Sequence, residues 1–153
     1  MSPVQPWIIY EDRYSRGMGE VRVRVRLTNG GDVMLGRRGL LPPEHVRTHE
    51  TTALVDTGTT HTVVPQHIAL LLGLDIREEL WVQFAGGRPE MVGMTEPILV
   101  EIEGRTTYDE ALITGDDVLI GQTVLEKIDW LVDCQARRLV QNPRHPNGPM
   151  FRI

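Results

Sequence analysis

The sequence predicts a mainly β fold of many short strands with one or two short helices, and three observations carry that expectation. Val21, Val23, Val25 and Leu27 alternate with Arg22, Arg24, Arg26 and Thr28, and Ile98, Val100 and Ile102 alternate with Leu99, Glu101 and Glu103. Period-two alternation marks a strand with one face in a core and the other in water. Turn residues such as Asn29-Gly30, Gly86-Gly87 and Gly104 recur at close intervals. Helical framing is confined to two stretches, Pro65 to Gly73 and Gln122 to Ile128. Many short strands with frequent turns argue for an all-β architecture.

Taken in order, Met1 to Gly19 is irregular, punctuated by Pro3, Pro6, Gly17 and Gly19. The first strand runs to Asn29-Gly30, a strong hairpin signal, so Val33-Met34-Leu35 is expected as its return strand. Gly36 to Pro43 reads as a loop, and Val46 to Val55, rich in Thr and Val, as a strand. Proline at the first helical position and glycine past the end frame a helix over Pro65 to Gly73. Trp81 to Phe84 and Glu90 to Met94 flank Ala85-Gly86-Gly87-Arg88, a glycine-bearing hairpin tip. Ile98 to Ile102 and Thr106 to Thr114 turn at Gly104, and Val118 to Gly121 is a short apolar strand before the second helix. Trp130 to Asp133 and Arg137 to Gln141 suggest a last hairpin, with Trp81 and Trp130 expected as core or hairpin-packing residues. The expected division is an extension over 1–20, a domain over 21–141 and an irregular tail over 142–153.

A chain of 153 residues suits one domain. With 41% hydrophobic and 24% charged residues it has the balance of a globular protein. A net charge of −5 argues against nucleic acid as a partner, since that recognition rewards a basic face. One cysteine, Cys134, excludes an intrachain disulfide and a cysteine metal site, and a buried or idle thiol is expected there. The five histidines match no metal-binding spacing, so neither metal nor cofactor is expected. The first residues lack a secretion-signal pattern, and no apolar run approaches the ~20 residues of a membrane span, which leaves the cytoplasm as the expected compartment.

The chemistry lies in Ala53-Leu54-Val55-Asp56-Thr57-Gly58-Thr59-Thr60, where an apolar strand delivers a carboxylate into a glycine turn. Alone, the triplet also fits an Asx turn, with Asp56 bonding its own backbone two residues on. In context the stretch resembles the active-site loop of retroviral-type (retropepsin-like) aspartic proteases, in which apolar residues precede Asp-Thr-Gly. That family's second motif, two apolar residues and a glycine before a short helix, is matched by Leu119-Ile120-Gly121 and Gln122 to Leu125. Between them, Phe84, Ala85, Gly86, Gly87 and Arg88 stand where the family carries its flap. The resemblance runs from about Val21 to Val140. Three features depart from it: Thr59 replaces the usual alanine or serine, the hairpin tip carries Arg88 beside Pro89, and the segment before Asp56 is long, as in compact bacterial members.

The resemblance implies a closed β-barrel and an aspartic endopeptidase. Peptide hydrolysis by carboxylates needs two of them sharing one proton, and this chain has one Asp-Thr-Gly, so a homodimer is implied, acting on a peptide or protein substrate. By the same resemblance Asp56 is catalytic, Thr57 bonds across the dyad, Gly58 admits substrate backbone, and Gly121 packs on the active-site loop. Two other readings stand beside it. Phosphoaspartate enzymes also place an Asp after an apolar strand, but their motif is one residue longer and sits in an alternating strand–helix pattern. The fold could also serve as a catalytically idle peptide-binding or dimerisation module.

Overall fold

The computed structural model describes residues 20–84 and 86–153. The extension before Glu20 and Ala85 of the hairpin tip lie outside the described residues. Among the described residues there are eleven strands: β1 (Arg22–Asn29), β2 (Thr48–Val55), β3 (Thr62–Val64), β4 (Ile76–Gln83), β5 (Pro89–Thr95), β6 (Ile98–Ile102), β7 (Arg105–Asp109), β8 (Ala111–Ile113), β9 (Leu119–Ile120), β10 (Trp130–Asp133) and β11 (Arg138–Gln141). Three α-helices accompany them among the described residues: α1 (Gly30–Arg37), α2 (Gln66–Leu71) and α3 (Gln122–Ile128), with a single 3-10 turn at Pro43–His45.

β1 to β9 form a nine-stranded sheet in the order β4-β5-β8-β3-β9-β2-β1-β6-β7, and β10 pairs with β11 alone. The fold is therefore mainly β, but the expected closure into a barrel is not seen. The sheet ends at β4 and β7, and among the described residues no ladder joins these edges. β4 is exposed along most of its length and carries Arg77, Glu78 and Glu79, charges that suit an edge left in water. No helix among the described residues is long and apolar enough to cross a membrane.

Along β1 the alternation works as the sequence implies as far as Leu27, but Thr28, expected on the wet face, is buried. Val21, Val23, Val25 and Leu27 are buried in the main core with Ala53, Ile98, Val100, Ile102, Ile120 and Val124. Arg22, Arg24 and Arg26 face out, and Arg26 donates to Glu50 on the neighbouring β2 at 2.7 Å. A satellite cluster of Val63, Val92, Met94 and Leu112 fills the β3–β8–β5 side. Trp130 packs as expected, its Nε1 donating to Ile102 O at 3.2 Å beneath the Arg105 guanidinium. Trp81, by contrast, is 68% exposed on the edge strand, because the pleat turns it away from both clusters. Cys134 is exposed rather than buried.

The expected hairpin at Asn29-Gly30 is instead the start of α1, and Val33-Met34-Leu35 is helical. Asn29 Oδ1 accepts from the Asp32 backbone N–H at 2.9 Å, an N-cap bond. Its Nδ2 donates to the carbonyls of Leu72 (2.9 Å) and Gly73 (3.2 Å) at the end of α2. Gly30 donates to Pro97 O at 3.1 Å, so close that a Cβ there would collide with that carbonyl. The pair that suits a tight turn here suits a helix start wedged against a distant loop. Pro65, expected at the first helical position of α2, sits one residue earlier as its N-cap. The tail beyond β11 has no helix or strand, yet Asp129, in the left-handed region at the end of α3, accepts from Asn142 Nδ2 (3.0 Å) and meets His145 Nδ1 (2.7 Å).

Next to Asn29, Asp32 receives three bonds from Arg47: backbone N (3.0 Å), Nε (2.8 Å) and Nη2 (3.0 Å). The guanidinium holds the Asp32 carboxyl below the usual carboxylate range, although burial opposes it.

Two predictions follow from this corner. Asn29→Ala removes one cap bond and two donated bonds at a buried site, and stability should fall by about 2–4 kcal/mol, read from denaturant unfolding; a loss within error of zero would mean that water replaces all three bonds. For Asp32, a lowered folded pKa contributes stability that is present above its unfolded value of about 3.9 and is lost as pH falls through the folded value. Acid titration of stability should therefore be steeper in the wild type than in Asp32→Asn, and identical curves would contradict the assignment.

Candidate active site

β2 ends at Val55 and hands the chain to Asp56 at the centre of the sheet. Its position is fixed by β9, which runs parallel to β2 with Leu54 opposite Leu119 and Val55 opposite Ile120. Leu54 N–H donates to Val118 O at 2.9 Å and Asp56 N–H to Ile120 O at 2.9 Å. The other edge of β9 meets β3 antiparallel at Val63 and Leu119. The loop 56–61 therefore leaves β2, passes over the end of β9 and returns as β3.

Gly121 sits beneath this loop. A Cβ there would lie 2.6 Å from Thr59 O, 2.8 Å from Thr60 O and 2.9 Å from His61 O, all backbone atoms. Glycine is thus demanded by close approach rather than by dihedral angle: its φ is −93°, open to any residue. The next two residues complete the joint. Gln122 N–H donates to Thr59 O at 2.9 Å and Thr123 N–H to Thr60 O at 3.3 Å. The first N–H groups of a helix lack partners within it, and here loop carbonyls supply them in place of a side-chain cap.

Inside the loop, Gly58 N–H donates to Asp56 Oδ1 at 2.9 Å and Thr59 N–H to Asp56 O at 3.2 Å. The first bond is the Asx turn that the triplet alone suggests. Asp56 is half-buried, while Thr57 and Gly58 are exposed. The far end of the loop is pinned by Asp109: its Oδ2 accepts from Thr62 N–H (3.0 Å) and Thr62 Oγ1 (2.7 Å), both groups buried. Sequence reasoning missed Asp109, because it falls inside the single strand expected over Thr106 to Thr114 and its partner lies 47 positions away.

Asp56 opens onto a cleft of about 350 Å³ walled by Gly58, Thr59, Thr60, His61, Leu112 and Leu119 on one side and Val82, Gln83 and Phe84 on the other. The second wall is the end of the β4–β5 hairpin, whose ladder runs to Gln83 opposite Pro89. Gly87 N–H donates to Phe84 O at 2.9 Å, and Gly86 takes a φ of +71°. Phe84 is half-buried; Gly86, Gly87 and Arg88 are exposed. The structure thus brings Asp56, Gly58, Thr59, Leu119 and Phe84 to one cleft, with Ile120 and Gly121 buried beneath it. Thr57 faces a different hollow, lined with Gln122, Leu125, Trp130 and Leu131. Asp56 carries the only carboxylate among the cleft residues; Asp116 and Asp117 are exposed elsewhere, and Asp117 lies 3.8 Å from Arg22. A larger apolar hollow of about 580 Å³ beside Met34, Leu35 and Tyr108 shares no residue with the cleft. Among the described residues no group of three or more His, Cys, Asp or Glu is placed to hold a metal ion.

A model of the family described as gag-polyprotein putative aspartyl protease matches residues 44–127, more than half of the chain. The match takes in β2, the Asp56 loop, the β4–β5 hairpin, β9 and most of α3. The comparison with curated proteins finds no match.

The joint itself can be tested without any assay of activity. Gly121→Ala should force the loop away from α3 and lower stability by about 1–3 kcal/mol, measured as a shift in the denaturant midpoint. An unchanged midpoint would show that the three carbonyls are not held where the structure places them.

Proposed function

The chain belongs to the gag-polyprotein aspartyl protease family, of retropepsin-like type, and from that premise we propose that it is an aspartic endopeptidase completed by a second copy of itself. One observation carries the reading: a single carboxylate, delivered by a central strand and braced by the Gly121 joint, lies at the wall of a cleft that a hairpin flanks. Carboxylate-driven peptide hydrolysis takes two such groups sharing one proton. The cleft offers one, so a twofold axis beside Asp56 supplies the other.

In the proposed reaction the ionised carboxylate takes a proton from water, and the water oxygen attacks the scissile carbonyl. The protonated partner donates to that carbonyl oxygen as it gains charge. Collapse of the tetrahedral species gives a carboxylic acid and an amine, with no covalent intermediate. Thr57, exposed at the loop's tip, is assigned to the bond across the axis. Gly58 leaves room for substrate backbone, and the Gly58 N–H bond to Oδ1 fixes the orientation of Asp56. Phe84 to Arg88 form a flap that closes on the substrate, softened at the tip by Gly86 and Gly87.

The Asx turn alone would account for Asp56 Oδ1, which favours the idle module as the second reading. It gives no reason for the cleft or for the hairpin beside it.

Replacing Asp56 by Asn keeps shape and the turn bond but removes the proton acceptor. Peptide cleavage, followed by mass spectrometry of a peptide library, should vanish while the fold persists. Wild-type activity should be blocked by pepstatin and peak on the acidic side of neutral, falling as the pair gains its second proton or loses its last. Pepstatin-resistant cleavage by the Asn variant would remove Asp56 from the mechanism. Wild-type binding of peptides without turnover would favour the idle module.

A further inference from the structure

Besides Asp56, one residue of the cleft can carry charge: His61. It follows Thr60 at the end of the loop and is half-buried, and its ring has no hydrogen-bond or ion-pair partner among the described residues. Every other wall is uncharged. The loop contributes Thr59 and Thr60, the hairpin Val82, Gln83 and Phe84, β8 Leu112 and β9 Leu119. His61 is held in place by its backbone, since its carbonyl accepts from Thr59 Oγ1 at 3.3 Å and lies over Gly121.

We propose that His61 is a specificity-determining residue that selects peptides with an acidic side chain, Asp or Glu, beside the scissile bond. The inference rests on the protease reading and names its substrate class. A peptide between the loop and the hairpin loses water from its side chains, and a carboxylate without a partner there is costly. Apolar and hydroxyl walls cannot repay that cost and Gln83 offers only a neutral amide, whereas His61 is a donor that can carry positive charge and make a charge-assisted bond. A basic substrate side chain would find Asp56 alone as a counter-ion, and the reaction engages that group.

The test uses peptide pairs identical except for Glu or Gln at one position near the cleavage site. With the Glu side chain ionised, kcat/KM should favour the Glu peptide roughly fivefold. His61→Gln should bring the ratio to unity, while His61→Lys should keep the preference. The same ratios should appear as binding affinities of labelled peptides for the Asp56→Asn protein. If no peptide is cleaved but affinities show the pattern, the catalytic reading fails and the specificity assignment stands. A Glu-to-Gln ratio near unity throughout, or one that survives His61→Gln, would overturn the assignment.

Discussion

Everything at the site depends on one backbone contact, the passage of the Asp56 loop over Gly121. Three carbonyls crowd the place where a Cβ would stand, and two of them accept from the first free N–H groups of α3. The contact joins the end of β2, the end of β9 and the start of a helix, which are remote in sequence. It fixes the Asp56 backbone through atoms that are present whatever side chains surround them. The proposed pairing of Asp56 with a second carboxylate would gain from such support, because backbone ladders are stiffer than surface loops.

The remaining architecture keeps that joint in place from both sides. On the β3 side, Asp109 ties Thr62 and hence the loop's exit. On the helix side, Asp129 ends α3 in the left-handed region and gathers Asn142 and His145 from the tail, and their bonds hold its carboxyl below the ordinary range. The tail is thus bonded to the domain that the sequence suggests it merely follows. Asn29 plays the corresponding part at the far corner, closing the start of α1 and the end of α2 with a single side chain.

What the sequence makes legible is what local spacing controls. The alternation of β1 and β6, the two framed helices and the Asp-Thr-Gly turn each depend on neighbours within a few residues, and the structure has all of them. Gly121 is legible by resemblance, since its obstacle is a loop some sixty residues away that no periodicity displays. The misreading at Asn29-Gly30 has the same root. Asn and Gly suit a hairpin turn and a helix start equally well, and the choice is made by Pro97, Arg47 and Leu72, all distant in the chain. Asp109, and the pairing of Asp129 with His145, are ordinary polar residues until the fold brings their partners.

The central claim is that one chain holds half of a catalytic pair, and a mixing experiment tests it most directly. On the proposed dimer, wild-type and Asp56→Asn chains, unfolded together and refolded at varied ratios with total protein constant, should assort into pairs at random. If each site needs two Asp56 residues, activity follows the square of the wild-type fraction, and an equal mixture retains about one quarter. Activity proportional to the wild-type fraction, with about one half retained in the equal mixture, would show that a single chain carries a complete site and would contradict the account.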